Sequence, residues 1–176
     1  MTLILIGYRG SGKTTVGEAL ARRLGLNFLD IDQEITRQTR QTIRQIFQQR
    51  GESGFRDLEC QAIAEALRLD DHVIAVGGGA LGREENRRLL QSSGHAVVFL
   101  QCRPEELLRR IQADPATADN RPSLTDLGGG IEEIQKLLSQ REPIYRLVMT
   151  AELDVTALTP EQAVSQIAQM LQTPPG

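Results

Sequence analysis

Eight residues near the N-terminus, Gly7-Tyr8-Arg9-Gly10-Ser11-Gly12-Lys13-Thr14, restrict this chain more than any other feature. They fit G-x-x-x-x-G-K-[ST] in full. They also follow a short apolar run, Leu3–Ile6, and precede a helical pattern carried by Val16, Leu20 and Leu24. That context is the one a phosphate-binding P-loop requires. Glycines let the backbone curl until successive N–H groups face one point, and the positive end of the following helix adds to the attraction for phosphate. Lys13 then reaches the β- and γ-phosphates, and the Thr14 hydroxyl is placed to ligate Mg²⁺. A glycine-rich turn that merely ends in Lys-Thr is the bland alternative, and the flanking strand and helix argue against it.

The rest of the chain suits a nucleotide-binding α/β domain. Buried parallel strands are expected at Leu3–Ile6, Val73–Val76 and Ala96–Leu100, with weaker ones around Asn27–Ile31 and Leu153–Val155. Helical spacing of apolar residues fills the intervals, as in Leu107, Leu108, Ile111 and in Ile131, Ile134, Leu137, Leu138. Thr159, Pro160 and Gln162 form a helix-start signal with a capping box. Alternating strands and helices imply a parallel sheet covered on both faces. Residues 33–60 are rich in Gln and Arg and carry no strand, so they read as an insertion over the sheet. Residues 113–130 are polar, contain two Pro and end in three Gly, and read as a mobile loop. The last four residues, 173–176, read as a frayed tail.

At 176 residues the chain fits one domain. A net charge of −3 gives no bulk attraction to nucleic acid or an anionic membrane. No basic leader opens the sequence and no apolar run approaches membrane-spanning length, so a cytoplasmic location is expected. Cys60 and Cys102 lack a C-x-x-C spacing and read as reduced, buried thiols. His72 and His95 head apolar runs and read as strand-edge residues. The base-reading N-K-x-D of GTPases is absent, as is a long apolar strand ending in Asp.

Several further groups can carry chemistry. Asp30 and Asp32 form a D-x-D whose period-two alternation aims both carboxylates past the second strand. One could hold a metal-bound water while the other accepts a hydroxyl proton; alternatively Asp32 caps the next helix. Arg56 and Glu59, in Phe55-Arg56-x-x-Glu59, are either a surface i,i+3 pair or part of a substrate clamp with Arg141. Gly77-Gly78-Gly79 follows a strand at the sheet edge where ligands bind, and is either a flexible turn or a place of close backbone approach. Arg121 sits in the polar loop. Arg141 opens Arg-Glu-Pro-Ile-Tyr145, where Pro143 should break or kink a helix.

Taken in order, the P-loop, D-x-D, F-R-x-x-E, G-G-G, lid R-P and R-x-P-x-Y resemble the shikimate kinase family along essentially the whole chain. The resemblance implies an ATP-dependent kinase that phosphorylates the 3-hydroxyl of shikimate, with Mg²⁺ as cofactor, in aromatic amino acid biosynthesis. It implies a nucleoside monophosphate kinase-like fold: a three-layer α/β/α domain whose five-stranded parallel sheet has order 2-3-1-4-5, bearing a substrate-binding insertion and a lid. Gly10, Ser11, Gly12, Lys13, Thr14, Thr15, Arg110 and Arg121 match positions that hold ATP, Arg110 by stacking on adenine. Thr14 and, through water, Asp30 match the magnesium site. Asp32 matches the residue bonded to the shikimate hydroxyls and proposed as base. Arg56 and Arg141 match the arginines that bind the shikimate carboxylate, with Glu59 orienting Arg56. Gly77, Gly78 and Gly79 match the backbone wall of the acceptor pocket, and Phe47 and Phe55 its apolar side. Lys13, Asp32 and Arg121 are the expected catalytic set, acting in a monomer on small molecules. Arg121 should offset charge on the transferring group, an effect of ~10³–10⁵ in rate. Ala75 departs from the pattern, standing where many members carry a small hydroxyl residue. Gluconate and nucleoside monophosphate kinases share the P-loop and lid but not the other four motifs together; a non-catalytic relative would be expected to have lost Lys13, Asp32 or Arg121.

Overall fold

The computed structural model describes residues 1–114 and 130–172. Four-residue runs of Leu and Ile cannot be solvated on either face, and β1 (Leu3–Ile6) is accordingly buried throughout, at the centre of a parallel five-stranded sheet of order β2-β3-β1-β4-β5. The other strands are β2 (Asn27–Asp30), β3 (His72–Ala75), β4 (Ala96–Gln101) and β5 (Ala151–Asp154). The last of these begins before the expected Leu153, because Ala151–Asp154 pairs residue by residue with Val98–Gln101. Alternation along the central strands sorts side chains into two cores. Leu3, Leu5, Val98 and Leu100 face one; Ile4, Ile6, Val97 and Phe99 face the other.

The first core is covered by α1 (Lys13–Leu24), α5 (Pro104–Ala113) and α7 (Pro160–Gln172). The second is covered by α2 (Ile31–Thr39), α3 (Ile43–Ala66) and α4 (Glu84–Ser92). Helix α6 (Ile131–Val148) serves both, through Ile134 and Leu137 in its first half and Tyr145 and Val148 in its second. Of the break or kink expected at Pro143, the break does not occur: α6 runs on through it. One lost backbone bond, about 3 kcal/mol at a helix interior, is outweighed by burial on both sides of the proline.

Residues 33–60, read from the sequence as an insertion over the sheet, fall in α2 and α3, and the second helix runs on to Ala66. Inside α3, Gly51 takes a left-handed φ of 67° and bends the chain, so that residues 52–66 run at a new angle onto the sheet. Thr42 and Gln45 form a capping box at the start of α3, and Thr159 with Gln162 forms the expected one before α7. Cys60 and Cys102 are free and buried. His72 and His95 hold the backbone carbonyls of Asp70 and Leu67 beside the strands they introduce. Among the described residues no helix is long and apolar enough to cross a membrane. The expected loop at 113–130 and the tail at 173–176 lie, but for Ala113, Asp114 and Gly130, outside the described residues.

Candidate active site

The P-loop joins β1 to α1 at the carboxyl edge of the sheet. Gly10 and Gly12 have φ of 85° and 94°, which residues with a side chain rarely adopt, and a Cβ on Gly10 would stand 3.0 Å from Ile111. The turn is closed by Ser11 N–H donating to the Tyr8 carbonyl at 3.1 Å. The Lys13 ammonium donates to the Gly7 and Tyr8 carbonyls at 2.9 and 3.0 Å, which folds it back over the loop. These are neutral acceptors, so an anionic phosphate oxygen competes well for the same donor.

A cleft of about 840 Å³ opens over this loop, lined among others by Thr14, Thr15, Asp30, Asp32, Gly78 and Arg110. Its far wall is the segment Val155–Pro160. Arg110 is fixed there by Glu106, whose carboxylate accepts from its Nε at 2.7 Å, and by the Val155 carbonyl at 2.8 Å. Arg109 pairs with the same carboxylate and lies far more open to solvent. The two guanidinium groups hold the Glu106 carboxyl well below its usual range, at about 2. Glu106 escaped the sequence reading, although its i,i+3 and i,i+4 spacing to the two arginines was there to be seen.

The D-x-D differs from expectation. Asp30 is the last residue of β2 and caps α2: its Oδ1 accepts the Asp32 and Gln33 N–H groups at 2.9 and 3.3 Å. Its Oδ2 accepts the Thr14 hydroxyl at 2.8 Å. Asp32 therefore lies in the first helical turn rather than on the strand, and the cap considered for Asp32 belongs to Asp30. Two N–H bonds made at the strand end start the helix too early for strand alternation to reach Asp32. Both carboxylates still line the cleft.

Arg56 and Glu59 are no surface pair. Their side chains are 12% and 0% exposed, the Nη1–Oε2 distance is 2.6 Å, and the guanidinium lies 5.4 Å over the Phe55 ring. Phe55 in turn packs on Phe47 with ring centroids 4.9 Å apart. Holding two charges out of water is expensive for stability alone, which makes this pair a poor structural device and a good functional candidate. Arg56 abuts Gly79: a methyl group there would stand 2.5 Å from Nη2. Arg141, on α6, lies 5.5 Å over the Tyr8 ring. Tyr145 donates its hydroxyl to the Gly78 carbonyl at 2.5 Å, and burial pushes its pKa up to about 12, so it stays a donor.

Arg56, Glu59, Arg141, Phe47, Phe55 and Gly79 do not line the cleft itself. Arg56 meets the chain at Gly79, and Arg141 lies over Tyr8, whose Cα approaches Gly78. The triple glycine thus lies between a phosphate cradle, which Gly78 approaches at the Gly7 carbonyl, and a cationic corner, which Gly79 approaches at Arg56. Arg121 lies outside the described residues.

The sequence profile of the family described as "Shikimate kinase" matches residues 9–172. This chain belongs to the shikimate kinase family. A shikimate kinase of Nitrosococcus oceani is 45% identical over 166 residues, covering 94% of this chain and 82% of that protein. One of Rhodopirellula baltica is 39% identical, covering 94% and 87%. The solved structure of "Shikimate kinase from Acinetobacter baumannii in complex with shikimate" superposes with a TM-score of 0.89 at 35% identity, covering 97% of this chain and 92% of that one. A gluconokinase from Sinorhizobium meliloti shares the fold at a TM-score of 0.63 and 23% identity. Membership in the shikimate kinase family makes the chain an ATP-dependent kinase and accords with the sheet order.

Proposed function

We propose that this chain transfers the γ-phosphoryl group of ATP to the 3-hydroxyl of shikimate, giving shikimate 3-phosphate and ADP. The observation that carries this reading is the pairing, across Gly77-Gly78-Gly79, of the Lys13 cradle with the Arg56–Glu59 and Arg141 corner. A small hydroxy acid offers both things such a site needs, a carboxylate for the arginines and a hydroxyl for the phosphate. Gly10–Thr15 and Arg110 bind ATP. Arg56 and Arg141 hold the acceptor carboxylate, Glu59 fixes Arg56, and Phe47 and Phe55 back it with apolar surface. The hydroxyl oxygen attacks the γ-phosphorus, the bond to the β-phosphate oxygen breaks, and Asp32 takes the hydroxyl proton. Lys13 offsets the charge that develops on the transferring group.

Mg²⁺ fits the cradle side of the cleft. Thr14 Oγ1 and Asp30 Oδ2 are oxygen donors 2.8 Å apart on the cleft wall, the donor type this ion prefers, and ATP phosphates and water complete such a site. Bound there, it would neutralise phosphate charge. Two free, buried thiols suit a reducing compartment, and the reading includes a cytoplasmic monomer acting on small molecules.

The test is ADP release from purified protein with Mg·ATP and shikimate, quinate, gluconate, AMP or no acceptor. Release with shikimate alone is expected. Turnover of gluconate or AMP in its place would leave the cradle standing and remove the acceptor assignment.

A further inference from the structure

The two arginines assigned to the acceptor carboxylate are held in different ways. Arg56 is gripped by a buried carboxylate, Glu59, at 2.6 Å. Arg141 pairs with no carboxylate among the described residues. Its guanidinium rests instead on the Tyr8 ring, with Cζ 5.5 Å from the centroid.

Tyr8 is the first variable residue of the P-loop and is 2% exposed. Its backbone carbonyl accepts Lys13, and its Cα lies 3.4 Å from where a Gly78 side chain would begin. The backbone is therefore fixed from two sides, and the ring cannot drift away from Arg141. The Tyr8 hydroxyl is buried and makes no hydrogen bond among the described residues. Whatever Tyr8 does for Arg141 is done by the ring face.

We infer that Tyr8 is a positioning residue for acceptor binding: its ring orients Arg141 toward the substrate carboxylate without neutralising it. The inference rests on the carboxylate-clamp reading given above. The chemistry favours an aromatic support at this place. A carboxylate beside Arg141 would compete with the substrate's own carboxylate for the same N–H donors. A π-face attracts the cation while leaving its N–H edge free. With Arg56 already paired to Glu59, Arg141 keeps the cationic charge that makes the corner net attractive to an acid.

The test compares Tyr8→Leu, Tyr8→Phe and Arg141→Ala in steady-state kinetics with both substrates. Tyr8→Leu is expected to raise the shikimate KM about three- to thirty-fold, the range a partly desolvated cation–π contact supports. It should leave kcat and the ATP KM within about twofold, a split that a general loss of folding would not produce. Tyr8→Phe keeps the ring and should restore the constant to within about twofold of wild type. In the Arg141→Ala background Tyr8→Leu should add less than about twofold, because its partner is already gone. If Tyr8→Leu does not fold, Tyr8→Met, apolar and without a π-face, takes its place.

A shikimate KM raised by Arg141→Ala but not by Tyr8→Leu would overturn this inference alone. So would a Tyr8→Phe enzyme as impaired as Tyr8→Leu, or full additivity with Arg141→Ala. An Arg141→Ala enzyme with unchanged shikimate KM would remove the clamp reading, and the inference with it.

Discussion

At Gly79 the site depends on the absence of a single carbon. The backbone there is ordinary, with φ of −97°, so alanine is not excluded by conformation. What excludes it is Arg56, whose Nη2, Cζ and Nη1 would lie 2.5, 3.0 and 3.0 Å from the new methyl group. The arginine tip must move, and its pairing with Glu59 must loosen. Gly79→Ala is therefore expected to raise the shikimate KM about ten- to a hundredfold, the value of a displaced charged hydrogen bond of ~1.5–3 kcal/mol. The ATP KM should hardly change, since Gly79 does not line the cleft over the P-loop; an equal rise in both constants would sink the argument. The sequence named both residues but could not reveal this contact, because they are far apart in the chain and meet only after β3 packs. Nor could i,i+3 spacing tell that Arg56 and Glu59 are buried rather than exposed. Burial is set by where the Gly51 bend aims α3.

Helix α5 shows how one element prepares the nucleotide side. Pro104 starts it, and Glu106 in its first turn gathers Arg109 and Arg110. Its carboxyl titrates at about 2 against an ordinary 4.5 because both guanidinium groups favour the ionised form. A depressed carboxylate contributes stability that is fully present above 4.5 and is lost as pH falls from 4.5 toward about 2. Glu106→Gln should therefore be less stable than wild type by about 1 kcal/mol near neutrality, partial exposure and screening limiting the effect. The gap should close as pH falls through that window. Denaturant titrations of both proteins at pH 7 and pH 3 check this, and a gap unchanged at pH 3 would mean that the pairing does not govern the carboxyl. Much at this scale was legible. Apolar spacing marked the helices, and Thr159-Pro160 marked the start of α7. The cap placed on Asp32 rather than Asp30, and the possible break at Pro143, went wrong for one reason: local preference was read without the competing hydrogen bonds and burial that decide each case.

Over the whole molecule, buried apolar runs announced a parallel sheet, but periodicity carries no record of which strand lies beside which. The order β2-β3-β1-β4-β5 followed from the family resemblance and agrees with the pairing observed. That order puts β1 at the centre, where one strand supplies both cores and links them mechanically. Ile4 and Leu5 are neighbours in sequence, fully buried, and face opposite sides. Truncating either to alanine should cost about 2–5 kcal/mol, the usual loss for a large core side chain. If the chain is one domain, the two losses should appear in a single cooperative transition. Far-UV circular dichroism and tyrosine fluorescence should then give the same midpoint for Ile4→Ala and for Leu5→Ala. Tyr8 belongs to the core that Leu5 faces and Tyr145 to the core that Ile4 faces, so the fluorescence samples both sides of the sheet. Two separated transitions, each shifted by only one of the substitutions, would show that the cores unfold independently. In that case the cradle and the cationic corner could not be kept in register by the sheet alone. They would depend on α6, the helix whose two halves pack into the two cores.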